Sequence, residues 1–136
     1  MYDLNRFINA QKSDYNTALK EIKNGKKRSH WMWYIFPQLK GLGKSSTAEY
    51  YGIDGLKEAK EYYKNDYLRN NLLEITNELL KIDNNDIEYI MGYPDNLKLL
   101  SCMTLFSEVD KSNDLFNKVI DKYYDGKKDI NTLNKL

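Results

Sequence analysis

The stretch Lys26-Lys27-Arg28-Ser29-His30-Trp31-Met32-Trp33-Tyr34-Ile35-Phe36-Pro37-Gln38-Leu39-Lys40-Gly41-Leu42-Gly43-Lys44-Ser45 gathers both tryptophans, the one histidine and a cluster of cations. Polar heads interleaved with aromatic faces suit a pocket that stacks a ring and holds charged groups. His30 is the single imidazole, so any histidine-dependent proton transfer must use it. A core for the aromatics with a solvated face for the lysines is the competing reading, and composition does not separate the two. Gly41-Leu42-Gly43-Lys44-Ser45 resembles the end of a phosphate-binding loop. Gln38 stands where the full motif needs its first glycine, and neither a parallel strand nor a magnesium-binding acid frames it, so a nucleotide triphosphatase is excluded. What survives is an anion nest of the Gly41 and Gly43 amides with Lys44 and Ser45.

A second polar group, Asp95, Lys98, Ser101 and Thr104, lies at helical spacing, which places Asp95, Lys98 and Ser101 on one face. Asp95 either caps its helix or faces a cleft. Ser101 and Thr104 either bond back to carbonyls one turn earlier or line that cleft. Cys102 sits among Leu99, Leu100, Met103 and Leu105, which predicts a packed, inert thiol rather than a nucleophile paired with His30. One His and one Cys are too few for a zinc site, so neither a metal nor another cofactor is expected.

These groups need a scaffold, and the chain predicts one. It has 136 residues, 41% hydrophobic and 30% charged, enough for one domain over residues 1–136. Leu4, Phe7, Ile8 and Gln11 recur at helical spacing after Asp3, and Tyr15, Ala18, Leu19 and Ile22 follow behind Ser13 or Asp14 as a cap, up to Gly25. Further helices are predicted over 55–64 after Asp54, from Asp66 as cap, over a short 86–91 segment, over 96–109 with Asp95 as cap, and around Leu115–Tyr123, with Asp129 capping a last turn. Trp31 to Leu39 reads as a buried helical turn leading into an extended segment, because Pro37 interrupts it and no partner strand is evident. The fold class is mainly α, a single compact multi-helix domain with an irregular Trp-rich extended segment.

The net charge is +1, but residues 20–44 carry seven Lys or Arg against Glu21, a local +6 that suits phosphate groups. No apolar run could span a bilayer and no export signal is evident. With a lone cysteine, a cytoplasmic setting without membrane contact is the expectation.

Arg28–Leu39 with Gly41-Leu42-Gly43, then Tyr51-Gly52-Ile53, then Asp95-Asn96-Leu97-Lys98-Leu99-Leu100-Ser101-Cys102-Met103-Thr104-Leu105-Phe106, resembles the family catalogued as domain of unknown function 1810. The resemblance runs through essentially the whole chain. Its members sometimes carry the label calpastatin, which names a disordered inhibitor and does not suit a chain patterned as a packed domain. Where the family commonly has paired serines this chain has Ser101-Cys102, so the second position does not need a hydroxyl. The family implies a small, mainly α-helical domain and no established reaction.

Tyr63 to Thr76 is similar to a segment of NADAR proteins, helical domains associated with NAD and ADP-ribose, although the Trp-Gly of that family is here Met91-Gly92. That likeness implies binding and glycosidic hydrolysis of an ADP-ribose or NAD-derived conjugate. Trp31 or Trp33 would stack the base; Arg28, Lys44 and the Gly41 and Gly43 amides would hold phosphates. His30 or Asp95 would act as acid or base, Lys98 would steady developing negative charge, and Ser29, Gln38, Ser101 and Thr104 would complete the wall. A non-catalytic nucleotide-signal module and a protein-interaction domain are the alternatives. The expected partner is a small nucleotide-type ligand, with nucleic acid entering only through a modified base, and the oligomeric state stays open.

Overall fold

Phe7, Gln11, Tyr15, Ala18 and Ile22 form one uninterrupted buried stripe, and the first helix therefore runs unbroken as α1 (Asn5–Lys23). The two helices expected from Ser13 or Asp14 as a cap are one. Asp14 instead accepts a hydrogen bond from the Tyr34 hydroxyl, so its carboxylate is engaged across the fold rather than at a helix end. The chain then turns at Asn24 and Gly25, the glycine at φ 79°, a conformation in which a side chain would be strained. The protein is seen here in a computed structural model that describes residues 2–136, so Met1 of the expected domain lies outside the described residues.

Eight more helices follow among the described residues: α2 (Met32–Ile35), α3 (Ser46–Tyr51), α4 (Gly55–Lys64), α5 (Asp66–Lys81), α6 (Ile87–Met91), α7 (Asp95–Val109), α8 (Leu115–Tyr124) and α9 (Ile130–Lys135). The mainly α, single-domain expectation holds. Two predicted caps move by one residue. Asn65 accepts from the Leu68 N–H in place of Asp66, and Pro94 takes the cap position before α7, so Asp95 opens that helix with its carboxylate free for other partners. The sequence reading missed α3, which Ser45 starts by accepting from the Ala48 N–H.

Helix α7 is the central rod. Seven consecutive residues, Ser101 to Ser107, are buried, as expected of a helix covered on every side. It packs against α8, α4, α6 and α9, while α1 lies across α5. Phe106 anchors an aromatic cluster with Tyr62 at 5.4 Å, Phe116 at 6.0 Å and Tyr63 at 6.1 Å between ring centres. Cys102 is fully buried there, and burial pushes its thiol well above the usual range, as the inert-thiol reading expected. Gln11 shows how a buried amide is accommodated: its Nε2 donates to the Tyr34 carbonyl and the Tyr62 hydroxyl, and its Oε1 accepts from Asn71.

The extended segment after α2 does find a partner. Leu39 and Ile53 form one parallel bridge, with the Ile53 N–H donating to the Gln38 carbonyl and the Lys40 N–H to the Ile53 carbonyl. Gly52 allows this approach, because a Cβ there would lie 2.6 Å from the Lys40 Cα. Arg6 fastens the same region: it pairs with Glu58 at 2.9 Å and donates to the carbonyls of Tyr50 and Gly52. No helix among the described residues is long and apolar enough to cross a membrane.

Candidate functional site

Glu21, near the end of α1, organises the loop that follows. One carboxylate oxygen accepts the Arg28 and Ser29 N–H groups and the Trp31 indole N–H, and the other accepts the Ser29 hydroxyl at 2.5 Å. Burial favours the neutral acid, yet these four donors outweigh it and hold the carboxyl down at about 2. The loop is therefore clamped. Lys27 is fixed beside it by its N–H on the Ile90 carbonyl and its ammonium on the Ser29 carbonyl.

That clamp delivers Lys27 to the start of α7. Its Nζ lies 2.9 Å from one Asp95 oxygen and 4.9 Å from the centre of the Trp31 ring, with the Lys27 side chain only 8% exposed. Lys98, one turn along α7, stands 3.9 Å from the other Asp95 oxygen and 5.5 Å from the Trp33 ring centre. Two ammonium groups thus flank one carboxylate, leaving a net positive charge beside an aromatic face.

The Trp-rich segment and α7 converge on a cleft. Three recesses open around Lys98, which walls all of them. One of about 310 Å³ holds Lys27, His30, Trp33, Tyr93 and Asp95. A second of about 450 Å³ holds Gln38, Leu42, Gly43, Leu97 and Ser101, with Asp129 and Asn131 at its far side. Met32, Trp33, Phe36, Gln38, Ala48 and Tyr51 line a third, small cavity that shares walls with both. Tyr93 and Leu97 are exposed at the rim.

His30, Trp33, Gln38, Gly43, Asp95, Lys98 and Ser101 of the expected site share this cleft. The others stand elsewhere. Trp31 is 1% exposed with its indole N–H on Glu21, so it is core and cannot stack a ligand. The Ser29 hydroxyl is held by the same Glu21, and Arg28 is an exposed neighbour that walls no recess of the cleft. Thr104 is fully buried and its hydroxyl oxygen accepts the Asp129 N–H. Ser101 also donates to Asp129, and Thr132 donates to the same oxygen, so this polar knot ties α9 to α7.

The expected anion nest is taken apart. Ser45 caps α3, Gly43 lies so close to α3 that a Cβ would sit 2.7 Å from the Ala48 Cβ, and Gly41, at φ 94°, faces Lys135 on α9. Lys44 is exposed before that cap.

Lys27, Met32, Tyr51, Tyr93 and Leu97 belong to the cleft and were not among the expected residues. The basic run contains Lys27, but nothing in its neighbourhood signals a partner as distant in sequence as Asp95. Among the described residues no three His, Cys, Asp or Glu side chains gather as metal ligands.

Comparison with known proteins places this geometry in context. The profile of the family described as "Protein of unknown function (DUF1810)" matches residues 1–136. The crystal structure of the conserved hypothetical protein Rv1873 from Mycobacterium tuberculosis is similar at 44% identity over 99% of this chain and 96% of that one, with a TM-score of 0.97. No curated protein matches the chain. The similarity of Tyr63–Thr76 to NADAR proteins finds no support in these comparisons, and that segment, which crosses from α4 into α5, walls none of the cleft.

Proposed function

The chain belongs to the DUF1810 family, and from the cleft it carries we propose that it binds a small anionic, ring-bearing ligand of nucleotide type, with ADP-ribose conjugates as the substrate class and glycosidic hydrolysis as the reaction. One observation carries this reading: Lys98, Trp33, His30 and the Lys27–Asp95 pair meet in a single cleft. Lys98 and Lys27 supply positive charge for phosphates, and Trp33 supplies a face for a ring. In the reaction, the oxygen of a water molecule bonds to the anomeric carbon as the bond to the leaving group breaks. His30 as imidazolium protonates the leaving group, and the water proton passes to Asp95.

The second reading is a binding module without turnover. It is favoured by Asp95 being already paired with Lys27 at 2.9 Å, so the carboxylate that would take the proton is engaged within the fold.

Thermal denaturation with AMP, ADP-ribose and NAD tests the binding step. Ligand at about 100 times its dissociation constant stabilises by about 2.7 kcal/mol, a rise of several degrees in melting temperature. Lys98→Ala and Trp33→Ala should abolish the rise. Products released from ADP-ribosyl substrates and lost in Asp95→Asn establish hydrolysis, and intact ligand after long incubation establishes the module. A melting temperature unmoved by every nucleotide overturns both readings.

A further inference from the structure

The indole N–H of Trp33 is buried without a hydrogen-bond partner, although its neighbour Trp31 has one. A buried unpaired donor costs free energy unless something reaches it. Trp33 walls the small central cavity, whose space of about 10 Å³ admits one water-sized atom. The other polar walls of this cavity are Gln38, Tyr51 and Lys98. Gln38 bonds to Ile53 through its backbone carbonyl, and its side-chain amide, with two N–H donors, stands between the central cavity and the Gly43 side of the cleft. Lys98 lies 3.9 Å from its acid partner Asp95, too far for a short hydrogen bond. Burial above all, then Tyr50 and Asp14, raises the Tyr51 hydroxyl's pKa, so it keeps its proton and can donate. Indole and ammonium groups donate and cannot accept. Every polar side chain that walls the cavity can thus donate, around space for one oxygen.

We propose that this cavity is an oxyanion subsite, in which Trp33, Gln38, Tyr51 and Lys98 receive one terminal oxygen of a phosphoryl group. It rests on the reading of the cleft as a ligand site and specifies how that ligand is held. The ligand class is a phosphate monoester or diester whose remainder extends into the larger recesses on either side of Lys98.

The two indole N–H resonances of nitrogen-15-labelled protein, titrated with inorganic phosphate and then with AMP, provide the test. The Trp33 signal should move downfield and saturate, while that of Trp31, already bonded to Glu21, stays in place as an internal control. Gln38→Leu and Tyr51→Phe should each weaken phosphate binding about tenfold or more, as loss of a hydrogen bond to a charged group does, with an unchanged melting temperature. A Trp33 signal unmoved by AMP concentrations that raise the melting temperature overturns the subsite and leaves the nucleotide reading standing. A Trp33 shift that both variants preserve also overturns it. If AMP neither moves a signal nor stabilises the protein, both fall together.

Discussion

The ammonium of Lys27 and the carboxylate of Asp95 meet at 2.9 Å, joining the loop after α1 to the first turn of α7. Because the lysine is almost wholly enclosed, removing it leaves a partly buried carboxylate without its nearest countercharge. Lys27→Ala should destabilise the protein by about 1–3 kcal/mol, read as a lower midpoint in urea. Adding Asp95→Ala to that variant should recover part of the loss. A double variant as unstable as the sum of the two singles would show that the pair does not couple.

Glu21 sets an acid-side prediction. Its folded pKa of about 2 lies below the ordinary 4.5, so its contribution is fully present above pH 4.5 and disappears as pH falls toward 2. Glu21→Gln should cost on the order of 2 kcal/mol at pH 7, and the gap from the native chain should narrow steadily below pH 4.5. Urea titrations of both proteins at neutral pH and near pH 3 check this. A gap that does not change with pH would mean that packing, not charge, holds the loop.

Thr104 separates structure from binding. Thr104→Val keeps the shape and removes the acceptor for the Asp129 N–H. The cost should be about 1–2 kcal/mol of stability with α9 loosened, while nucleotide affinity changes little. A large affinity loss at full stability would assign the threonine to the ligand instead.

Gly52 is a steric prediction. A methyl group there meets the Lys40 backbone at 2.6 Å, so Gly52→Ala must part the Leu39–Ile53 bridge. The variant should lose roughly 2 kcal/mol or more and bind phosphate more weakly, because Tyr51 beside it walls the central cavity. Calorimetric melting with and without phosphate measures both effects.

How much was legible in the sequence follows from how local each signal is. Gly25, Asp86, Gly92 and Asp129 mark helix ends by effects confined to a few residues, and each stands at such an end in the structure. The Trp-rich run was visible as a site by composition, but which tryptophan faces the ligand was not. Trp31 turns inward because Glu21, ten residues earlier, takes its indole N–H, a choice made by folding. Asp95 looked like a cap because Asp is among the residues most favoured at helix starts. Pro94 takes the cap position instead, and Lys27, arriving from another part of the chain, gives the carboxylate its short ion pair. Ser101 and Thr104 fell on plausible positions for a cleft wall, and α9, whose docking no local pattern reveals, claims both hydroxyls.

Cys102 has a practical consequence. The chain's one thiol lies in the middle of α7, fully buried beneath α4 and α8, and exposing it requires those helices to part. An alkylating reagent therefore has a single target and no route to it in the folded state, so the rate of labelling under native conditions becomes a clock for opening of the core. A bound ligand that bridges the Trp-rich loop and α7 would slow that clock in proportion to its occupancy, whatever its chemical identity.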